Sequence, residues 1–277
     1  MLKRLLCLLA LATALHAEEK LWLDPGYTIR KKIDIDTKAA AITDPIGTSA
    51  VLVRLHEGVM SFMSAKEDGS DLRFTLNDHK TVLAHHVEKW DSLLNEAYVW
   101  VKVPELKPAA PTTIWLYYGN PAAPGPDASK ETYTADSVLV YHFADAAKVG
   151  SDSSATGANA EGAPPPAAGA LIGSGLRVFG QAPVKVNTLP EWAPGAQLTV
   201  SVWVKPSALA ADAVLLSRRD GANAFVLGLN NGVPFVDINK QRSSPGAPIS
   251  ANAWTHIAAV HDAGTTTVFV NGKSYGQ

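Results

Sequence analysis

From Ile29 to Asp36 the chain alternates without a break. Ile29, Lys31, Ile33 and Ile35 fall on one side, and Arg30, Lys32, Asp34 and Asp36 on the other. A period of two sends successive side chains to opposite faces, so the segment predicts a half-buried β-strand. Ala50–Leu55 is a second apolar run. The turn-forming Glu67-Asp68-Gly69-Ser70-Asp71 precedes another alternating stretch, Leu72–Thr75. Val82–Trp90, Glu96–Val103 and Thr112–Tyr118 are rich in β-branched and aromatic residues, which favour a pleated surface. Pro104, Pro108, Pro111 and Pro121 stand at the ends of these runs, where proline removes no ladder hydrogen bond.

Composition shifts at Pro121–Asp127, which holds three prolines in seven residues. Strand-like sequence resumes only at Ser137, so residues 121–136 read as a linker between a domain at 18–120 and another at 137–277. The second opens with Val138–Phe143, passes through a Gly/Ala/Pro/Ser-rich loop at Gly150–Gly169, and predicts strands at 175–179, 197–205, 213–217, 224–229 and 233–239. Trp254–Val260 and Thr266–Val270 flank a hairpin turn at His261–Gly264. Asn271-Gly272 begins another turn, since both central residues of a type I′ turn need positive φ. No window holds a helical period and no internal repeat is evident. Strands at this spacing mean an all-β protein of sandwiches or barrels.

The N-terminus changes the setting. Lys3 and Arg4 precede an apolar run, Leu5–Leu15, that is broken only by Thr13 and ends at small residues before Glu18. This is the layout of a secretory signal peptide at residues 1–17, with cleavage after Ala17 or Ala14. The run is about half the ~20 residues a spanning helix needs. Cys7, the single cysteine, lies inside it, so the mature chain must stand on core burial without disulfides. Cleavage after Ala17 leaves 22 basic against 26 acidic residues, a formal charge of −4 derived from the full-chain counts. That balance argues against nucleic acid and anionic lipid as partners.

Three motifs carry a resemblance: Gly69-Ser70-Asp71-Leu72-Arg73-Phe74, Trp100-Val101-Lys102-Val103-Pro104 and Ile114-Trp115-Leu116-Tyr117-Tyr118-Gly119-Asn120-Pro121. They resemble a bacterial β-sandwich family of unknown function that usually precedes a lectin-like module. The second domain is similar to concanavalin A-like, laminin-G-type jelly rolls through Leu139–Phe143, Leu198–Pro206, Trp254–Ala258 and Val268–Lys273. The order of the two behind a signal peptide resembles the periplasmic front of MotA/TolQ/ExbB-type proton-channel proteins. That resemblance implies a periplasmic protein attached to the inner membrane through a region after Gln277. The jelly roll stops just past an Asn-Gly turn, within what should be a returning strand. This predicts an incomplete domain whose edge would otherwise invite aggregation.

Chemistry-bearing residues are sparse. His85-His86 is an adjacent pair that a strand would send to opposite faces, so it reads as ordinary strand histidines. Glu67–Asp71 lacks calcium-loop spacing and reads as a turn. Laminin-G-type modules often hold calcium at one rim, which singles out Asp145 and Asp152 as weak calcium candidates with no other cofactor expected. Asp34 and Asp36 share a face with Lys32 and read as solvated surface rather than a glycosidase pair. Asp237 stands alone in an apolar strand, and no nucleophile elbow or phosphate loop is present, which excludes the common catalytic layouts. Trp100, Trp115, Trp203 and Trp254 lie in or at the start of apolar strands and are expected in the core. Trp192, in a loop, is the best candidate for an exposed ring, although packing against the sandwich end is the favoured reading even there, and Arg218-Arg219 is a basic turn. The sequence therefore predicts a non-catalytic exported ectodomain that binds or senses a glycan or a protein through Trp192, Arg218 and Arg219 at the sandwich end. The alternatives are a structural spacer and an accessory part of a carbohydrate-active enzyme.

Overall fold

The computed structural model describes residues 21–38, 42–125, 129–180, 183–192, 195–221, 223–243 and 246–277. The expected signal peptide lies outside them. The described residues are all-β, with two short 3-10 turns and no α-helix, and no helix among them is long and apolar enough to cross a membrane. Two compact units result. The first holds the described residues up to Gly157 with 162–168 and 172–183, and the second holds 158–161, 169–171 and 184–277.

The first unit is a sandwich of a four-stranded and a three-stranded sheet. Its strands are β1 (Ile29–Ile35), β2 (Gly47–His56), β3 (Arg73–Leu76), β4 (Val82–Leu83), β5 (His85–Asp91), β6 (Glu96–Leu106) and β7 (Thr112–Tyr118). One sheet runs β1-β7-β3-β4 and the other β2-β6-β5, with antiparallel pairing throughout. Alternation is strict on β6, where Ala97, Val99, Val101 and Val103 are all fully buried. They meet Phe74, Ile114 and Leu116 from the facing sheet in one core, each buried large aliphatic side chain contributing roughly 1.5–3 kcal/mol.

One buried carboxylate joins two of the sequence motifs. Asp71 is fully buried, and its Oδ1 accepts the Lys66 amide at 2.9 Å. Its Oδ2 accepts the Gly119 and Asn120 amides at 2.8 and 3.1 Å. Gly69, just before it, has φ of +67°, and a Cβ there would stand 2.5 Å from the Trp90 ring. Trp90 in turn donates its Nε1–H to the Glu67 carbonyl at 2.7 Å. Glycine is required at that turn both by conformation and by space.

Short pairs follow: β8 (Ala160–Glu161) with β11 (Lys185–Val186), and β9 (Ala167–Ala168) with β10 (Ser174–Gly175). The second unit is again a sandwich, of two four-stranded sheets. Its strands are β12 (Leu198–Val204), β13 (Ala213–Asp220), β14 (Asn223–Asn230), β15 (Val233–Ile238), β16 (Gln241–Ser243), β17 (Thr255–Asp262), β18 (Thr265–Val270) and β19 (Lys273–Gly276). The sheets run β12-β17-β18-β19 and β13-β14-β15-β16, with Phe225, Leu227, Val236, Ile257 and Val268 between them. Both late hairpins turn as expected: Ala263 and Gly264 have φ of 46° and 79°, Asn271 and Gly272 49° and 77°.

Two expectations differ. Val138–Phe143 is not a strand, and residues 129–157, including part of the expected linker at 121–136, belong to the first unit. The reason is polar. The Val140 amide donates to Asp152 Oδ1 at 2.8 Å instead of to a neighbouring strand, and Tyr133 and His142 are held by side-chain bonds described below. Residues 175–179 also form only the end of β10, with Val178 and Phe179 exposed.

Two predictions follow from this core. Asp71→Ala strands three backbone donors in a buried site and is expected to destabilise the first unit by at least about 3 kcal/mol in urea titration. His85, on the core side of β5, is 3 % exposed with its Nε2 unpaired. Burial holds its imidazole down at about 4 from the usual 6.5. On acidification the unfolded chain takes up this proton first. The stability is therefore complete above pH 6.5 and lost as pH falls to about 4, at roughly 1.4 kcal/mol per pH unit. His85→Leu should gain on the wild type by that slope across the window, and parallel pH curves would refute it.

Candidate functional site

The Arg218 guanidinium pairs with Asp220 Oδ2 at 2.7 Å and also donates to the Pro190 carbonyl. The same Asp220 oxygen accepts the Trp192 amide at 3.1 Å. These bonds draw the 190–192 loop onto the sandwich, so the Trp192 ring lies in the core, 4 % exposed and edge-on to Phe225 at 6.1 Å. Trp192 is packed, the favoured of its two readings, and offers no open face for a sugar ring, which corrects its candidacy as a ligand-binding residue. Arg218 and Arg219 stand on β13 rather than in a turn. Arg218 is occupied structurally and Arg219 is exposed.

The two weak calcium candidates serve the backbone. Asp152 is 5 % exposed, and its carboxylate accepts the Val140 and Ser154 amides and the Ser154 hydroxyl at 2.7–2.9 Å. Asp145 Oδ1 accepts the Ala147 amide at 2.8 Å. In the Glu67–Asp71 turn, Asp68 accepts the Ser70 amide at 3.0 Å and Asp71 is engaged as described. Among the described residues no three His, Cys, Asp or Glu side chains are grouped to hold a metal ion.

The tryptophans expected in the core divide otherwise. Trp115 stacks on the Arg30 guanidinium, which lies 4.7 Å from its ring and 4.6 Å from that of Trp22. Trp203 is 53 % exposed. It points away from the core because β12 buries Leu198, Val200, Val202 and Val204 and turns the intervening residues outward. Its cross-strand partner on β17 is His256, with ring centroids 5.2 Å apart. In the next outward row, Ser201 opposes Ala258, which opposes Phe269 on β18. Two small side chains, Ser201 and Ala258, stand between Trp203 and the half-buried Phe269 on this sheet face. Thr199 and Thr267 supply hydroxyls one row further on. Period two groups Thr199, Ser201 and Trp203 on one side of β12 but does not say which side is covered.

An opening of about 580 Å³ in the same unit is lined by Val236, Ile238, Asn239, Gln241, Thr265 and Thr266 among others. Among the described residues lining it there is no Trp, Tyr or Phe to stack on a ring.

The first unit carries a polar cluster. The pairing of β5 with β6 shifts register between Val87 and Lys89, so Glu88 is the extra residue of a β-bulge. Such a bulge re-aims side chains. His86 faces outward opposite Trp100, while Trp90, four residues on, packs with the core. Trp100 Nε1–H donates to Glu88 Oε2 at 2.6 Å. The same oxygen lies 3.1 Å from His142 Nδ1. His142 Nε2 is 2.8 Å from the Tyr133 hydroxyl, which is 3.4 Å from His86 Nδ1. Tyr133 is 8 % exposed, and the His142 and Glu88 side chains 12 % and 6 %. Burial pushes the Tyr133 hydroxyl well above its ordinary range and His86 down to about 4, with His142 the next cause for His86. His85 and His86 do point to opposite faces, as their spacing requires. Their sequence gave no sign that His142 would arrive from far along the chain.

Residues 68–156 match the profile of a domain of unknown function (DUF2341), and residues 179–277 match that of the concanavalin A-like lectin/glucanases superfamily. No curated protein and no solved structure matches the chain significantly. The first match spans Asp71, the whole Glu88–His142–Tyr133–His86 cluster and Asp152. The second spans Trp192, β12 to β19 and the Trp203 face, and suggests a carbohydrate- or protein-binding module.

Trp192→Ala removes a fully packed ring from the second core and is expected to cost about 3–5 kcal/mol, read from the loss of that unit's unfolding midpoint.

Proposed function

We propose that the chain is a non-catalytic binding module whose second unit takes a glycan on the β12–β17–β18 face, with Trp203 as the stacking platform. The observation that carries this reading is the exposed Trp203 beside His256, on a sandwich of the concanavalin A-like superfamily. An isolated indole face desolvates the C–H side of a sugar ring, and the hydroxyls of Ser201, Thr199 and Thr267 lie where ring hydroxyls need partners. Buried aromatics of this unit are already satisfied by packing; Trp203 is the large ring left open on this sheet face.

The exported setting is part of the same proposal and is supported by the Lys3-Arg4 start and the Leu5–Leu15 run. Attachment to a proton-channel-type membrane region, with a part in transport, rests on the order of the two modules alone. A fusion of residues 1–30 to a periplasm-dependent reporter tests the export.

For the binding itself, the mature chain is screened on an oligosaccharide array and its best ligand titrated calorimetrically. Trp203→Ala should weaken that ligand at least tenfold, about 1.4 kcal/mol, while leaving the thermal midpoint in place because the side chain is exposed. Unchanged affinity would move the ligand off this face. A chain that retains no glycan but captures a protein would favour the protein-binding reading, and retention of neither would favour the spacer.

A further inference from the structure

The Glu88–His142–Tyr133–His86 cluster has a donor count that depends on protons. With neutral His142 donating Nδ1–H to Glu88, its Nε2 must accept, so the Tyr133 hydroxyl donates to it. A proton on His142 turns Nε2 into a donor. The Tyr133 oxygen then accepts, and its own hydrogen must go to His86 Nδ1, the remaining partner in reach at 3.4 Å. The chain can therefore carry one extra proton by reversing its direction, with the Glu88 carboxylate 3.1 Å away as counter-charge. It cannot carry two. A second proton would sit on His86, whose ring centroid is 4.9 Å from that of His142, and would remove the acceptor that the Tyr133 hydroxyl needs.

The four side chains join two parts of the fold. His86 and Glu88 belong to β5, and Trp100 to β6, whereas Tyr133 and His142 belong to residues 129–157, which pair with no strand of either sheet there. We propose that this cluster is a proton-operated latch: it holds the 129–157 segment on the β5–β6 sheet while at most one of its two imidazoles is charged, and releases it when both are.

The groups facing His86 are Glu88 and, more weakly, His85 from β5, with His142 and Tyr133 from the docked segment. Trp100 from β6 is opposite it and carries no charge. Burial and then His142 disfavour its charged form, Glu88 favours it, and the balance sets it at about 4 against 6.5 in the released state. The released state binds the proton first, so docking is at full strength above pH 6.5. It weakens about tenfold per pH unit on the way down to about 4 and then levels.

Hydrogen exchange of the mature chain between pH 7 and 4, corrected for intrinsic rates, reads the latch directly. Amides of Val140, Ser153 and Ser154 report the segment, and those of Val99 and Val101 report β6. The segment amides should open about tenfold per pH unit and at lower cost than the β6 amides, whose protection falls only with the global stability that His85 lowers. His86→Phe keeps a ring in place but takes no proton and should abolish this slope; His86→Gln is the second replacement should Phe disturb β5. A slope that survives in a folded His86 variant, or segment amides that open only together with β6, would overturn the latch.

Discussion

No covalent bond can hold either sandwich, because the chain has a single cysteine and that lies at position 7. Everything else is therefore subordinate to the inward row of each strand. β6 shows the constraint in its simplest form: Ala97, Val99, Val101 and Val103 are withdrawn from water together, and Tyr98, Trp100 and Lys102 are turned outward as a consequence. The same logic on β12 buries four aliphatic side chains and leaves Trp203 outside. Trp203 is exposed because its neighbours are not. A platform fixed in this way needs no loop to order it, and little conformational entropy remains to be lost when a ligand arrives.

A single added residue is what separates the two faces of the first unit. Without the bulge at Glu88, period two would place Trp90 on the same side as His86. With it, Trp90 enters the core against Phe62, 4.8 Å between ring centroids, and closes over Gly69. The outward side is left to His86, Glu88 and Trp100. One local irregularity thus supplies a core aromatic and an acceptor for Trp100 and His142 at once. The partners that complete the cluster come from about 30 to 55 residues later in the chain, which is why the segment carrying them packs without joining a ladder.

Much of this architecture is legible from pattern alone. The run Thr112–Tyr118 is β7, Ile29–Ile35 is β1, and Asn271-Gly272 turns with two positive φ values, because burial on one face and glycine tolerance are both local properties. Val138–Phe143 reads equally well as a strand and is not one. Its apolar residues satisfy the pattern, but the Val140 amide is taken by Asp152. Tryptophan exposure is decided by contacts that periodicity does not see. A ring in a loop is buried when a distant ion pair, Arg218–Asp220, pulls that loop inward, and a ring in a strand is exposed when nothing covers its sheet. Both depend on contacts between residues far apart in sequence, to which periodicity is blind.

The two units also differ in how their polar chemistry is arranged, and this bears on what each can do. In the first, carboxylates and imidazoles are turned inward onto the protein's own donors: Asp71 on three amides, Asp152 on two amides and a hydroxyl, Glu88 on Trp100 and His142. Groups so engaged serve the packing of the protein's own chain, and within the imidazole cluster each bond depends on which nitrogen carries the hydrogen. In the second unit the face around Trp203 carries aromatics and hydroxyls, apart from His256, whose imidazole is pushed by burial below its ordinary value. Recognition placed on groups that do not titrate, and responsiveness placed on groups that do, can vary independently of one another. On the proposed reading, a ligand on Trp203 and the packing of residues 129–157 depend on different chemistry.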